Sequence, residues 1–332
     1  MMLALDLGVF HKKDHIITFK EAFIWSGVWI AVSLLFYLLM FFHAEWIHGI
    51  DSIEGLFNYK EEYRHIMPIS GELTYEENLA IFRKSLSLDY ITGYLIEKSL
   101  SLDNIFVMLV IFTSFKVNPK YYHRVLFYGI LGAIVLRFLF IFLSATLIHH
   151  FKFILLLFGV LLLFTGLKMF FEKKETENLD VEKNPIVRFL SKLKLTTPHY
   201  HEGKFFVREN ARFLLTPLFV VLIIIEFSDV IFAVDSIPAI FSITFDPFIV
   251  FFSNIFAILG LRSLFFVLQN IVDKFRFLKT GLACLLTYIG IKMILPFINA
   301  SWHIPTPVSL SIILAILTFS ILFSLLIPKK KI

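Results

Sequence analysis

The chain has 332 residues, 58% of them apolar and 17% charged, with a mean hydropathy of +0.80 and a formal net charge of +5. A soluble domain carries about 25% charge, and its core could not hide 41 phenylalanines, so the surplus must face lipid. This composition excludes a disordered chain and a nucleic-acid-binding module, and a single cysteine, Cys284, excludes a secreted disulfide scaffold.

Apolar runs of about twenty residues, the length that crosses a bilayer, fall at 23–43, 88–115, 121–147, 151–171, 213–237, 247–268, 275–296 and 307–327. Residues 1–10 are apolar but too short to span, and no small-residue cleavage site follows them. Residues 44–87 read as an acidic loop, with eight Asp or Glu against four Lys or Arg. Residues 172–212 read as a second long loop of mixed charge that divides the chain into halves. Within it Arg188, Lys192 and Lys194 sit among Phe189, Leu190, Leu193 and Leu195, either a basic amphipathic turn on the membrane or a solvated linker.

Basic residues in the loops set the orientation. With the N-terminus cytoplasmic, 21 Lys and Arg fall in inside segments, 5 in outside segments, and 5 within helices (Lys98, Arg137, Lys168, Arg262 and Lys292). The split places 44–87 outside, and 172–212 and the basic C-terminal tail in the cytoplasm. An inner or plasma membrane protein is expected.

The two halves repeat. IEKSLSLDNIF (96–106) resembles IIEFSDVIFAVD (224–235), VLRFLF (135–140) matches GLRSLF (260–265), and TGLKMF (165–170) matches IGIKMI (289–294). The charge rule sends helix 88–115 inward and helix 213–237 outward, so the three-helix units 88–171 and 213–296 are inverted relative to each other. Inverted repeats characterise secondary transporters, with the substrate near the midplane. The expected fold is therefore an all-α membrane bundle of about eight spans. Its parts are a 1–22 segment, a helix at 23–43, the outer loop, the first repeat, the cytoplasmic loop, the second repeat, and a final helix and tail at 307–332.

Glu97, Asp103, Glu226, Asp229 and Asp235 fall inside apolar runs, where an ionised group costs at least ~2.5–3.5 kcal/mol and points to function. The bland alternative pairs them with Arg137, Arg262 and Lys98, while Lys168 and Lys292 snorkel from last turns and Asp89 sits at the interface. Asn104, Ser99, Ser101, Ser228 and Ser236 surround the acids, and such oxygens suit hard cations such as Mn2+, Ca2+ or Mg2+. Glu226 and Asp229 share a helix face, whereas Glu97 and Asp103 lie about 120° apart on an ideal helix. Pro238 should break or end its helix beside Asp235. Asp246 and Pro247 form a helix start, with Asn254 two turns on as ligand or interhelical glue. No histidine lies deep in a run, which argues against a di-iron oxygenase and against zinc or copper. His199 to Glu202 reads as surface loop or a peripheral metal site, and Cys284 as packing. Paired aspartates without a nucleophile or protease signature do not make an enzyme.

The blocks GYLIEKSLSLDNIFV (93–107), VLFYGILGAIVLRF (125–138), FTGLKMF (164–170), IEFSDVIFAVDSIPAIFSIT (225–244), DPFIVFFSNIFAILGLRSLFF (246–266) and IGIKM (289–293) resemble the TerC family of integral membrane proteins, which includes Alx-type manganese exporters. The resemblance implies nine spans, the first represented here only by its end, LALDLGVF (3–10). It also implies Mn2+ efflux from the cytoplasm along the two acidic helices, with no cofactor beyond the transported ion. Glu97, Asp103, Asn104, Glu226, Asp229 and Asp235 would bind the ion, Ser101, Ser228, Ser236 and Asn254 would assist, and Arg137 and Arg262 would hold unloaded acids or gate. Partners are then the ion and the bilayer. Tellurite resistance named the family, and plastid relatives linked to membrane-protein insertion keep an assembly factor open as the alternative.

Overall fold

The computed structural model describes residues 17–63, 67–151, 153–171, 187, 196–197, 201, 203–209, 212–269, 277–299, 302 and 304–326, without the side chains of Asp103, Glu209, Arg212, Leu278 and Leu325. The 3–10 segment, the 188–195 stretch, His199 and Glu202, and the basic tail lie outside the described residues. The described residues are nearly all helix. α1 (Phe19–His48) starts on the Thr18 side chain and ends at Gly49, whose φ of +63° favours glycine. α2 (Ile53–Glu62) and α3 (Tyr75–Ser114) follow, then a 3-10 turn (Pro119–Tyr121), α4 (Tyr122–His150) and α5 (Phe153–Phe171). A hairpin of β1 (Phe206–Glu209) and β2 (Arg212–Leu215), antiparallel with Phe206 opposite Leu215, precedes α6 (Pro217–Phe241). The last elements are α7 (Pro247–Leu259), α8 (Leu261–Gln269), α9 (Leu278–Ile298) and α10 (Thr306–Leu326).

Among the described residues, six helices are long and apolar enough to cross a membrane, or seven if α7 and α8, bent by 40°, form one span. α3 is not among them, because Asp89, Glu97, Lys98 and Asp103 interrupt it. Exposed Leu, Phe and Ile along α1, α4, α5 and α10 give the lipid-facing surface that the phenylalanine excess requires.

The segment 44–87 is not a loop. A capping box between Thr74 and Glu77 starts α3 at Tyr75 rather than at residue 88. Leu79, Phe82 and Leu86 then bury one stripe against Met40, Leu56, Tyr59, Met67 and Ile69, and the charges stay on the other face. Arg83 ties this stretch to α1, donating Nε and Nη2 to Glu45 at 2.7 and 2.5 Å. Pro238 does not end its helix: α6 runs on to Phe241, so the missing N–H falls in the last turns. The hairpin moves the start of α6 from residue 213 to Pro217.

Paired contacts give the helix directions. Ser33 with Tyr90 and Glu45 with Arg83 make α1 and α3 antiparallel. Phe112 with Tyr122 and Glu97 with Arg137 do the same for α3 and α4. Gly129 against Leu222 and Arg137 with Asp229 make α4 and α6 parallel. Gly93 against Ser253 and Lys98 with Ala257 make α3 and α7 parallel. α5 and α9 are antiparallel and very close: a Cβ on Gly166 would lie 2.5 Å from Thr287 Oγ1, and one on Gly290 would lie 2.5 Å from the Leu163 nitrogen. α10 returns antiparallel to α9 through Ser320 at Gly281 and Tyr288 on Ser309 at 3.0 Å.

Candidate functional site

The helices α3, α4, α6 and α7 meet where the sequence placed its charges. Gly93 sets the approach of α3 to α7, since a Cβ there would come within 2.9 Å of Ser253 Oγ. One turn further along α3, Glu97 reaches Arg137 of α4 and Asn254 of α7, and Arg137 in turn holds Asp229 of α6. These four side chains are 0, 1, 5 and 0% exposed respectively. Arg137 Nε and Nη2 donate to Asp229 at 3.2 and 2.9 Å, the two-bond fork that guanidinium and carboxylate geometry favours. Arg137 Nη1 donates to Glu97 Oε1 and, at 3.1 Å, to Asn254 Oδ1. The Asn254 amide closes the ring by donating to Glu97 Oε2 at 3.0 Å. One guanidinium thus faces two carboxyl groups in a dry interior, where opposite charges are held strongly and an unmatched one is expensive. Asn254 is thus interhelical glue in this arrangement.

The other expected ligands stand apart from this ring. Glu226 lies against Gly129 and Gly132 of α4, and a Cβ at Gly132 would overlap its carboxylate. Asp235 accepts from Thr165 Oγ1 of α5 at 3.4 Å. Asn104 is buried with its Oδ1 unpartnered, whereas Ser236 is buried next to the ring, beside Glu97. Ser101 and Ser228 donate to carbonyls one turn back, Glu97 at 2.6 Å and Ile224 at 2.8 Å. The side chain of Asp103 lies outside the described residues. Among the described residues, no three His, Cys, Asp or Glu are gathered as a metal would need.

The bases are placed differently from the sequence reading. Lys98 does not face the acids; its Nζ donates to the Ala257 carbonyl at 3.2 Å, at the C-terminal end of α7, where a cation is favourable. Gly260 makes room for it, since a Cβ there would meet Nζ at 2.8 Å. Arg262 is buried with its Nη1 3.1 Å from His123 Nε2 of α4. Lys292 does not snorkel, because α9 continues past it to Ile298 and leaves it 8% exposed. It lies within electrostatic reach of Asp89, which is buried in the protein. Lys168 is exposed.

A second polar group, which the sequence reading missed, closes the end of the bundle under α2. Asp246 caps α7 by accepting from the Phe248 N–H at 2.8 Å. Its other oxygen accepts from Tyr59 Oη at 2.8 Å and lies 2.9 Å from His48 Nε2. Burial, with the Asp246 carboxylate beside it, pushes the Tyr59 hydroxyl well above its ordinary range, so it remains a donor. The signal for this group was the aromatic content of 44–63, which a charge count alone overlooks.

Residues 82–332 match the model of the integral membrane protein TerC family. Over 98% of its length the chain is 43% identical to an uncharacterized membrane protein of Myxococcus xanthus, covering 88% of that protein. It is 41% identical to a Salmonella typhi protein, Alx, described provisionally as a membrane-bound redox modulator, covering 90% of it. A membrane protein of Rickettsia bellii is 38% identical, with 93% of its length covered. No solved structure matches. With most of the chain inside the family model and near full-length relatives at this identity, the chain belongs to the TerC family of integral membrane proteins.

Proposed function

We propose that the chain exports a divalent metal cation, Mn2+ first among candidates, from the cytoplasm, and that Arg137 holds the place of that cation in the unloaded state. The observation that carries this reading is the ring of Glu97, Arg137, Asp229 and Asn254. A guanidinium withdrawn from it leaves carboxylate and amide oxygens from three helices with a formal charge of −2, the donor type and charge that a hard divalent cation takes. A buried network of this sort is costly to keep for stability alone, since apolar residues of similar volume often serve as well. The helix directions support inverted units: α3 and α6 run oppositely, as do α5 and α9. We place both termini in the cytoplasm, in an inner or plasma membrane, and assign no catalytic step.

The experiment is uptake into reconstituted vesicles across a panel of Mn2+, Ca2+, Mg2+ and Zn2+. Mn2+ accumulation that Asp229→Asn abolishes supports export; no cation movement by folded protein overturns it. The competing reading, a membrane-protein assembly factor, draws on the saturation of Arg137, which fits a purely structural role. The redox role in the name of the Alx relatives would have to act here without an intramolecular dithiol, because the chain has one cysteine.

A further inference from the structure

The β1–β2 hairpin has no part in the ring, yet it is built against the first turns of α4 and α6. Phe205, just before β1, meets the Tyr128 ring of α4 edge-on at 5.2 Å, and Phe206 packs on Phe219 of α6 at 4.6 Å. The strand register sets Phe206 opposite Leu215 and Arg208 opposite Phe213, so alternation puts these four on one face of the ribbon. Leu215 packs on the core at the helix end of that face, while Phe206 and Phe213 are 53% and 72% exposed. Cations accompany the rings. The Arg208 guanidinium lies 5.6 Å from the centre of Phe213, Arg124 of α4 lies 5.7 Å from that of Phe205, and the Lys120 ammonium 4.7 Å from that of Tyr121. Gly203, at a φ of +76°, joins the two segments: a Cβ there would lie 2.7 Å from the Tyr121 ring and 3.4 Å from Arg124 Nη1. Residues 116–124 hold three Lys or Arg and no acid, and 202–215 hold three against two, so the joined surface is positive.

We propose that this surface seats on the headgroup layer of the protein's own membrane and takes an anionic phospholipid there. Arg124 and Arg208 hold the phosphate, and the Phe206 and Phe213 rings enter among the upper acyl carbons. Position and charge select lipid over a soluble partner. β2 ends at Leu215, two residues before α6 begins at Pro217, so the hairpin cannot leave the level at which that helix enters the bilayer. Tyr128, 42% exposed, lies one turn along α4 from Arg124, at the boundary where aromatic side chains gather. Basic pockets beside membrane helices on the cytoplasmic side bind anionic headgroups, and the division of basic residues puts this end of the bundle in the cytoplasm. Arginine stems lie along apolar rings while their heads stay polar, which is the arrangement that an interface of this kind favours. Docking then fixes the depth of α6. It is independent of what the protein transports.

The test uses the full chain in two settings. In detergent, native mass spectrometry counts bound phosphatidylglycerol or phosphatidylcholine as each is titrated in. Phosphatidylglycerol should bind more tightly, and Arg124→Gln with Arg208→Gln should weaken its first binding step on the order of fivefold per arginine. Lys168→Gln, which removes an exposed cation in the last turn of α5, should leave that step near the wild-type value. Equal weakening by Lys168→Gln, or none in the double variant, overturns the site. Displacement of the lipid by inorganic phosphate at constant ionic strength would make it a free-anion site and also overturns it. Should the double variant not fold, Arg208→Gln on the hairpin decides alone, with the same fivefold expectation. In phosphatidylglycerol vesicles, a spin label at Phe213→Cys in a Cys284→Ser background should be relaxed more by oxygen than by a water-soluble nickel chelate. Full access of the chelate places the face in water and overturns the proposal. Dipolar broadening between labels assigns the face to a second copy of the chain, and overturns it as well.

Discussion

Arg137 and Asp229 come from different halves of the sequence and hold each other through two hydrogen bonds, at 3.2 and 2.9 Å, in a site almost closed to solvent. The same guanidinium reaches Glu97 of the first half. The arginine of one unit thus fastens the acids of both: its removal leaves two carboxylates together without a cation, whereas neutralising Asp229 still leaves Glu97 to balance the guanidinium.

That asymmetry is measurable. Arg137→Gln should lower the amount of folded protein, by an effect on the order of 3–5 kcal/mol for a broken buried pair. Asp229→Asn should leave the Glu97–Arg137 pair intact, accumulate normally and move no Mn2+. Combining the two should restore much of the abundance but not the activity, as read by size-exclusion profiles and vesicle transport. Equal loss of abundance in both single variants would count against the ring as drawn.

The glycines of α5 and α9 offer a second check. Gly166 faces Ala283 and Thr287, and Gly290 faces Gly159 and Leu163. Each pair of counterparts (166 and 290, 159 and 283, 163 and 287) is 124 positions apart, so either contact becomes the other on exchanging halves. A methyl at Gly166 or Gly290 would meet backbone that cannot swing away, and overpacking of this kind costs about 1–3 kcal/mol. Gly166→Ala and Gly290→Ala should lower the melting temperature by similar amounts. Gly27→Ala, with open space around it, should not. Opposite responses at 166 and 290 would contradict a two-fold relation between the helices.

Sequence made the ring half legible. Charges in apolar runs identified Glu97, Asp229 and Arg137, and Asp246–Pro247 marked the start of α7, because both signals depend on residue type and local spacing. Partner choice depends on which faces meet. Lys98 and Glu97 are adjacent in the chain but about 100° apart around the helix, so one joins the ring and the other reaches the end of α7. Lys292 looked terminal only because the helix end was drawn too early. The first turns of α3 were hidden by acids on their exposed side, which raise the charge count without disturbing the buried stripe of Leu79, Phe82 and Leu86. The β1–β2 hairpin left no signal beyond a short alternation.

Alkali should loosen the end under α2 first. Burial, then the nearby Asp246 and Glu62 carboxylates, push the Tyr63 hydroxyl up to about 12 from an ordinary 10. The folded state therefore keeps a proton that the unfolded state releases earlier, so stability is full below pH 10 and falls as pH rises from 10 to 12. Tyr63→Phe removes that dependence, and its melting temperature should vary less over this range than the wild type's. A steeper fall in the variant would reverse the assignment.

The membrane orientation can be settled with single cysteines in a Cys284→Ser background. Gly71 is exposed between α2 and α3, with open space for a side chain, and Lys116 is exposed just past the opposite end of α3. A 40-residue helix rises about 60 Å at 1.5 Å per residue, more than the roughly 30 Å hydrocarbon core, so its two ends must lie on different sides if it crosses at all. The 21-to-5 division of basic residues puts the Gly71 end outside. In intact cells a membrane-impermeant maleimide should therefore label Gly71→Cys and spare Lys116→Cys, and permeabilisation should expose the second. The parallel contacts of α7 with α3 extend the prediction to the α6–α7 turn, where a cysteine at Phe245 should share the side of Gly71, though its partial burial will slow labelling. Labelling of Lys116→Cys in intact cells, with Gly71→Cys protected, would invert the protein. The proposed export would then become uptake by the same site, since the ring itself has no preferred direction.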